Sequence, residues 1–311
     1  MVKRYLVTGG AGFIGSHLCD SLVERGDSVV VVDNLDSGSA ENLHAAVEFV
    51  QDDIRKVDLA VLGRFDAAIH LAALISGYDS LSDPQEYVDV NINGTLRLIE
   101  GVARAGSRRI IFASSSTVYG ANSGPRLDEL AMPAPLTVYA MTKLAGEQLL
   151  RMYSQLRGFS HCSLRLFNVY GPRQSPDHPY ANVTCKFSHA AAAGLPVQLY
   201  GDGEQTRDFI FVDDVIRAFL AVLDGSNETI YNVGTGIERS VNDLLGSLEA
   251  LTNSGLQVEQ RPPWPNDTRS ISANVDRFSA EFGSVSTMPI EEGLARTVDS
   301  FRNSPGKLAR A

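Results

Sequence analysis

Thr8-Gly9-Gly10-Ala11-Gly12-Phe13-Ile14-Gly15 follows directly on the apolar run Tyr5-Leu6-Val7. Gly9, Gly12 and Gly15 have the G-x-x-G-x-x-G spacing of a dinucleotide-binding turn. In such a turn a strand ends, the backbone closes tightly, and helix N–H groups point at a pyrophosphate. Glycine is needed where a Cβ would block the turn or the approach of a phosphate. A glycine triplet alone is weak evidence, because other glycine loops imitate it. The next segment strengthens it. Val29-Val30-Val31-Val32 reads as a buried strand, closed by Asp33, 18 residues after Gly15. A carboxylate there accepts hydrogen bonds from the adenosine ribose hydroxyls and repels a 2′-phosphate, which favours NAD over NADP. The competing reading is an Asp33 that merely caps a turn.

Outward from this turn, the first half of the chain alternates strand-like and helix-like pieces, as a parallel sheet with crossover helices requires. Strands are predicted over Arg4–Thr8, Ser28–Asp33, Val47–Gln51, Ala67–Leu71, Arg109–Ser114 and Cys162–Phe167. Their runs are apolar on both faces, as strands covered by helices should be. Helices are predicted over Gly15–Arg25 and Asn93–Ala105, the latter with Leu96, Ile99 and Ala103 on one stripe. After Phe167 the texture changes to proline-punctuated loops with shorter helices over Asn182–Ala193 and Ser240–Thr252. The prediction is an α/β protein. A doubly wound parallel sheet of the Rossmann type spans 1–167, and a smaller α+β substrate domain spans 168–311, with 209–236 packing back on the first.

The chain has 311 residues, 44% of them hydrophobic, and a formal charge of −10. That is enough apolar material for a sizeable core. An acidic balance without a Lys/Arg cluster argues against nucleic acid or an anionic membrane as the main partner. Cys19, Cys162 and Cys185 follow no metal spacing, so no metal is expected and the thiols read as reduced. The first strand begins at once, leaving no room for a signal peptide, and no apolar run approaches a membrane span. These features predict a soluble cytoplasmic protein.

The chemistry concentrates in two segments. Phe112-Ala113-Ser114-Ser115-Ser116-Thr117-Val118-Tyr119-Gly120 ends a strand with hydroxyls at its carboxyl edge, where ligands of an open α/β sheet bind. Downstream lies Tyr139-Ala140-Met141-Thr142-Lys143. On a helix, a Tyr and a Lys four residues apart project on one face, one turn apart. Free tyrosine, with a pKa near 10, is a poor base at neutral pH. A lysine ammonium one turn away, with a positive nicotinamide ring, is expected to stabilise the phenolate and lower that pKa. Tyr139 could then take a proton from a hydroxyl while hydride leaves the same carbon for NAD, with a serine hydroxyl bonding the same oxygen. A lone Y-x-x-x-K is common by chance; it gains weight behind the nucleotide turn and the serine strand end.

Together these segments resemble the extended short-chain dehydrogenase/reductase family, in its nucleotide-sugar epimerase and dehydratase branch. The resemblance runs through Asp33-Asn34, Asp53-Ile54, His70-Leu71-Ala72-Ala73, Asn91-Ile92-Asn93-Gly94-Thr95, the serine run, Tyr139–Lys143 and Arg165-Leu166-Phe167-Asn168-Val169-Tyr170-Gly171-Pro172. It continues through Gly201-Asp202-Gly203, Arg207-Asp208-Phe209 and Tyr231-Asn232-Val233-Gly234. It implies catalytic roles for Ser115, Tyr139 and Lys143. Contacts to NAD are implied for Gly9, Gly12, Phe13, Ile14, Gly15, Asp33, Asn34, Asp53, Ile54, Leu71, Ala72, Ala73, Asn91, Ser114, Tyr139, Lys143 and Val169. Substrate contacts are implied for Ser116, Thr117, Asn168, Asn182, Val183, Arg207 and Asp267, with Asn168 and Arg207 on the diphosphate. A guanidinium suits that task, being planar, charged and bidentate.

The resemblance also implies a reaction that starts by oxidising C4 of a hexose carried on a nucleotide, most simply a UDP-sugar. An epimerase then returns hydride to the other face, whereas a 4,6-dehydratase uses an acid/base pair placed just after the catalytic Ser/Thr. Those positions here are Ser116 and Thr117, neither a carboxylate. The 4-epimerase is therefore the favoured reading, and a dehydratase with other acid/base residues the alternative. Ile271, three before Asn274, is expected to line the far side of the sugar, leaving hexose and N-acetylhexosamine both open. Finally, Leu96, Leu98, Ile99 and Val102 on one helix and Leu149, Leu150, Tyr153 and Leu156 on another exceed a single buried stripe, which predicts a second partner for each helix. The resemblance implies that these two helices pair across a two-fold axis in a homodimer, the alternative being cover by loops of the chain's own second domain.

Overall fold

The computed structural model describes residues 2–122, 124–176, 181–252, 255–263 and 268–303. The chain divides into two compact units: 1–122, 131–166 and 216–232 form the first, and 123–130, 167–215 and 233–311 the second.

The first unit is built on β1 (Arg4–Thr8), β2 (Ser28–Asp33), β3 (Glu48–Gln51), β4 (Ala67–His70), β5 (Arg109–Ser115), β6 (Ser160–Leu166) and β7 (Ile230–Val233). They form one seven-stranded sheet in the order β7-β6-β5-β4-β1-β2-β3. Pairing is parallel throughout β1 to β6, with Tyr5 facing Val29 on one side and Ala67 on the other. β7 continues it: the Ser163 and Phe167 amides donate to Thr229 and Val233, so both strands advance together. The four β2 valines are at most 1% exposed. β-branched side chains suit a strand covered on both faces. Strand order runs outward in both directions from the β1–β4 pair. That pair is the topological switch point, where such sheets bind their ligands beyond the strand ends.

Three helices position the chemistry. α1 (Phe13–Glu24) follows the glycine turn. α2 (Gly94–Arg104) is entered through a π-helical turn over Asp89–Asn93. α3 (Val138–Arg157) is capped by Thr137, whose hydroxyl accepts the Ala140 amide at 3.1 Å, and ends at Gly158 with φ 69°. A side-chain oxygen at the N-cap and a left-handed glycine beyond the last turn are what helix ends require.

The buried stripe of α2 is Thr95, Leu98, Ile99 and Val102, not the expected one of Leu96, Ile99 and Ala103. Leu98 is 0% exposed and faces the core with Ile99 and Val102, so it is no part of an outer face. Positions 95, 98, 99 and 102 are spaced three and four apart and line one side of the helix. On α3 the inner stripe carries two ionisable groups, Lys143 and Glu147, both buried.

In the second unit, a four-stranded sheet runs in the order Arg239–Ser240, Thr206–Arg207, Ser270–Ala273, Gly124–Leu127. Phe209–Phe211 pairs in parallel with Asn168–Tyr170, and Val258–Arg261 with Val197–Tyr200. α4 (Val183–Ala193) packs against the helices Val241–Thr252 and Ile290–Arg302. Among the described residues, no helix is long and apolar enough to cross a membrane.

Candidate active site

The glycine turn closes at the carboxyl end of β1. Gly9 has φ +73° and its amide donates to Val32 at 2.9 Å. A Cβ on Gly9 would lie 2.6 Å from the Ala72 amide nitrogen, and one on Gly15 would run into the Gly9 carbonyl oxygen. So the turn and the segment after β4 touch backbone to backbone, which only glycine permits. α1 starts with Gly12 at its N-cap, no side-chain cap and no acidic residue in its first turn. The N–H groups of Phe13, Ile14 and Gly15 therefore have no acceptor within the helix, and a pyrophosphate fits them. Asp33 is 8% exposed and takes the Ala11 amide on one oxygen at 2.9 Å and the Leu35 amide on the other at 2.8 Å. It braces the turn, and each oxygen retains a lone pair for a ribose hydroxyl. Both readings of this residue are compatible. The residues present fit a dinucleotide.

β5 ends at Ser115, which is also the N-cap of a short 3₁₀ turn over Ser116–Tyr119. Ser115 Oγ accepts the Thr117 amide at 3.2 Å and the Thr117 hydroxyl at 2.9 Å, and it is hydrogen-bonded to Tyr139. With two lone pairs occupied, the serine proton is directed at the tyrosine oxygen. Lys143 Nζ donates to the Ala113 carbonyl at 2.9 Å and lies 5.8 Å from the centre of the Tyr139 ring. The fold thus brings Ser115, Tyr139 and Lys143 together.

In the chain alone, without the nicotinamide charge that the expectation includes, burial sets their acidities. Desolvation of its hydroxyl pushes Tyr139 up to about 12, against a smaller lowering by the Ser115 hydrogen bond. Burial also brings Lys143 down to about 8. Within the chain alone, desolvation of the tyrosine outweighs the lysine one turn away.

The remaining expected cofactor residues fall into three groups. Leu71, Ala72 and Ala73 stand partly exposed beside Gly9, with the Leu71 amide donating to Thr8. Phe13 and Ile14 open α1, and Asn34 uses its Oδ1 to hold the Asp36 amide. Asp53 is chelated by Arg55, whose guanidinium holds the carboxyl below its usual range and also reaches Glu86 and Asp89. Ile54 is buried against Gly94. Asn91, in the π turn, spends its amide on both backbone groups of Leu74 and on the Thr142 hydroxyl, so it ties the loop after β4 to α3. Ser114 donates its hydroxyl to Glu147 at 2.5 Å.

In the second unit, Asn168 donates through backbone and side chain to the Asp208 carbonyl, and Asn182 caps α4 at the Cys185 amide while donating to the Val169 carbonyl at 2.7 Å. Val183 is the first residue of α4, and Val169 is buried in its strand. Arg207, between Ile271 and Arg239 across the sheet, donates to the Thr206 and Thr268 carbonyls. Asn168, Val169, Asn182 and the Arg207-Asp208 pair are thus gathered into one neighbourhood. Asp267 lies outside the described residues.

Three residues were missed as site components. His70, at the end of β4, bonds Thr8 Oγ1 at 2.7 Å and Thr95 Oγ1 at 3.0 Å, and burial with the nearby Lys143 brings it down to about 3. Glu147 and Arg165 form a buried ion pair. The available signal was a carboxylate four residues after Lys143 and a guanidinium inside a buried strand.

A switch-point glycine turn with a Ser-Tyr-Lys cluster beyond β5 defines a short-chain dehydrogenase/reductase of the extended type. The chain belongs to the NAD dependent epimerase/dehydratase family, whose profile matches residues 5–234. It is 40% identical over 310 residues to a UDP-glucose 4-epimerase of Mycolicibacterium smegmatis, covering 96% of this chain and 99% of the relative. A UDP-glucose 4-epimerase from Thermotoga maritima, solved with UDP-glucose, superposes with TM-score 0.93 at 36% identity, covering 97% of this chain and 99% of that one. The Thermus thermophilus UDP-glucose 4-epimerase, solved with NAD, gives TM-score 0.89 at 36% identity with the same coverage.

Proposed function

We propose that the chain is an NAD-dependent UDP-hexose or UDP-hexosamine 4-epimerase. The observation that carries this reading is the strand end beside Tyr139. Ser115, Ser116 and Thr117 offer hydroxyls and no carboxylate, so proton exchange at one sugar oxygen is provided for and elimination is not. The similarity to UDP-glucose 4-epimerases supports the substrate class. The first unit is assigned to NAD, and the second, through Asn168 and Arg207, to the nucleotide diphosphate.

When bound, NAD supplies a cationic nicotinamide ring and the hydride acceptor and donor for C4. Tyr139 accepts the proton of the 4-hydroxyl as the C4 carbonyl forms and gives it back when the alcohol is restored on the opposite face. Its proton, held up to about 12 by burial, leaves only with positive charge beside the ring. Lys143 is the chain's own contribution to that charge. Once the sugar is bound, the Ser115 proton turns from the Tyr139 oxygen to the substrate oxygen, stabilising it while it carries partial negative charge.

The same reading includes a homodimer joined on the outer faces of α2 and α3. Met152 and Leu156 are 56% and 67% exposed, and Leu96, Leu149 and Tyr153 are partly exposed beside them. An apolar strip of this kind on a helix pair fits an isologous contact. Three buried cysteines, none of them in a disulfide, fit a reducing compartment such as the cytoplasm.

The test is incubation of the NAD-loaded protein with UDP-glucose, UDP-N-acetylglucosamine and their C4 epimers, followed by NMR and mass measurement. Inverted C4 with unchanged mass is expected. Loss of one water would replace epimerisation by elimination.

A further inference from the structure

Three residues of α3, each four apart, engage three consecutive residues at the end of β5. Tyr139 is hydrogen-bonded to Ser115, Lys143 Nζ to the Ala113 carbonyl at 2.9 Å, and Glu147 Oε1 takes the Ser114 hydroxyl at 2.5 Å. The third rung carries no reacting group, yet it is the most heavily built. Arg165 on β6 donates Nε to Glu147 Oε1 at 2.9 Å and Nη2 to Oε2 at 2.8 Å. The two side chains are 2% and 1% exposed. The guanidinium lies 4.9 Å from the Tyr119 ring centre, and the Tyr119 hydroxyl donates to Asn232 on β7 at 2.7 Å. The chain of contacts therefore runs from α3 through β5, β6 and the 3₁₀ turn after Ser115 to β7.

A buried ion pair is a poor way to gain stability, since desolvation offsets its attraction. What such a pair supplies is a fixed geometry. The forked guanidinium admits one placement of the carboxylate, and the carboxylate's Oε1 then admits one placement of the Ser114 hydroxyl. Ser114 is adjacent to Ser115, so its side chain and that of Ser115 point to opposite faces of the strand. Pinning the inner one fixes the outer one against Tyr139.

We propose that Glu147, held by Arg165, is a positioning residue that sets the Ser115–Tyr139 alignment through Ser114. This rests on the 4-epimerase reading for its kinetic consequence but not for its geometric one. Misplacement of a reacting group by about 1 Å costs on the order of 100-fold in rate.

The test compares Ser114→Ala and Glu147→Gln with the parent protein. Ser114→Ala cuts the link and leaves the ion pair intact, so it carries the test where Glu147→Gln, which removes the negative charge facing Arg165, fails to fold. We expect kcat to fall about 10- to 100-fold with KM for the UDP-sugar unchanged; bound NAD stays at the parent level because the Ser114 hydroxyl is spent on Glu147 and not on the expected cofactor contact. The ascending limb of the pH profile should move upward, because Tyr139 loses the aligned donor that favours its phenolate. The double variant should be no worse than the poorer single one. Ultraviolet titration of tyrosinate in the NAD-loaded protein reads the same displacement without any substrate. If the parent turns over no UDP-sugar, the functional reading fails while this titration still decides the positioning role. Unchanged kcat, pH limb and tyrosinate titration in folded variants would overturn the proposal, as would loss of bound NAD, which would make the network a cofactor support instead.

Discussion

Thr117 holds Ser115 twice, by its amide at 3.2 Å and by its hydroxyl at 2.9 Å from the same Oγ. Both contacts occupy lone pairs, so the serine proton is left to the Tyr139 oxygen. Thr117→Val keeps shape and the amide contact but frees one lone pair, letting the serine hydroxyl rotate. A loss of one hydrogen bond that acts on the reacting oxygen is worth about 1–2 kcal/mol, or roughly 5- to 30-fold in kcat. Steady-state kinetics with the NAD-loaded variant checks this, and an unchanged kcat would show that the serine proton is oriented by something else.

Tyr139→Phe removes the hydroxyl that the proposed mechanism assigns as proton acceptor and donor at the sugar oxygen. Turnover should drop by about 10²- to 10⁴-fold, the usual contribution of a general base. NAD content should stay at the parent level, because the turn over Gly9–Gly15 is untouched. A fully active variant would sink the mechanism.

Gly9→Ala places a Cβ 2.6 Å from the Ala72 backbone nitrogen at a φ of +73°. Backbone cannot yield as a flexible side chain does, so the turn or the loop after β4 must move. The protein should be purified with little or no bound NAD and a lowered thermal midpoint, measured by cofactor release on denaturation and by calorimetry. Gly106→Ala, also at positive φ but with nothing within 4 Å, serves as the control that keeps its cofactor.

His70 gives the stability a pH dependence of definite sign. Its ordinary value of 6.5 falls to about 3 in the folded chain, through burial first and Lys143 second. The unfolded chain therefore binds the proton that the folded chain refuses. This stabilisation is full above pH 6.5 and drains away as the pH falls toward 3, amounting to about 4–5 kcal/mol in all. Thermal midpoints between pH 7 and 4 should fall less steeply for His70→Gln than for the parent. Equal slopes would mean that His70 does not contribute.

Charged substitutions on α2 and α3 separate the outer face from the core. Met152→Asp with Leu156→Asp should give folded monomers by light scattering, whereas Leu98→Asp should unfold the first unit, since that residue is 0% exposed. A folded Leu98→Asp monomer would reverse the assignment of faces.

The sequence alone determined the glycine turn, the valine strand with Asp33, and the Tyr139–Lys143 pair, because each is a matter of local spacing. Helical periodicity brings residues four apart onto one face, and the steric need for glycine is written at the position itself. Strand positions in the sheet were legible to within a residue or two for the same reason. The tertiary structure alone decided which face of α2 is buried, since Leu96 and Leu98 are equally apolar and only the neighbouring strands choose between them. It also set the balance at Tyr139 in the chain alone, where burial raises the hydroxyl although a lysine stands one turn away. And it joined Ser114, Glu147 and Arg165, three residues from two strands and a helix. No local pattern announces a bond between them, because a buried charge becomes affordable only where the fold delivers its partner.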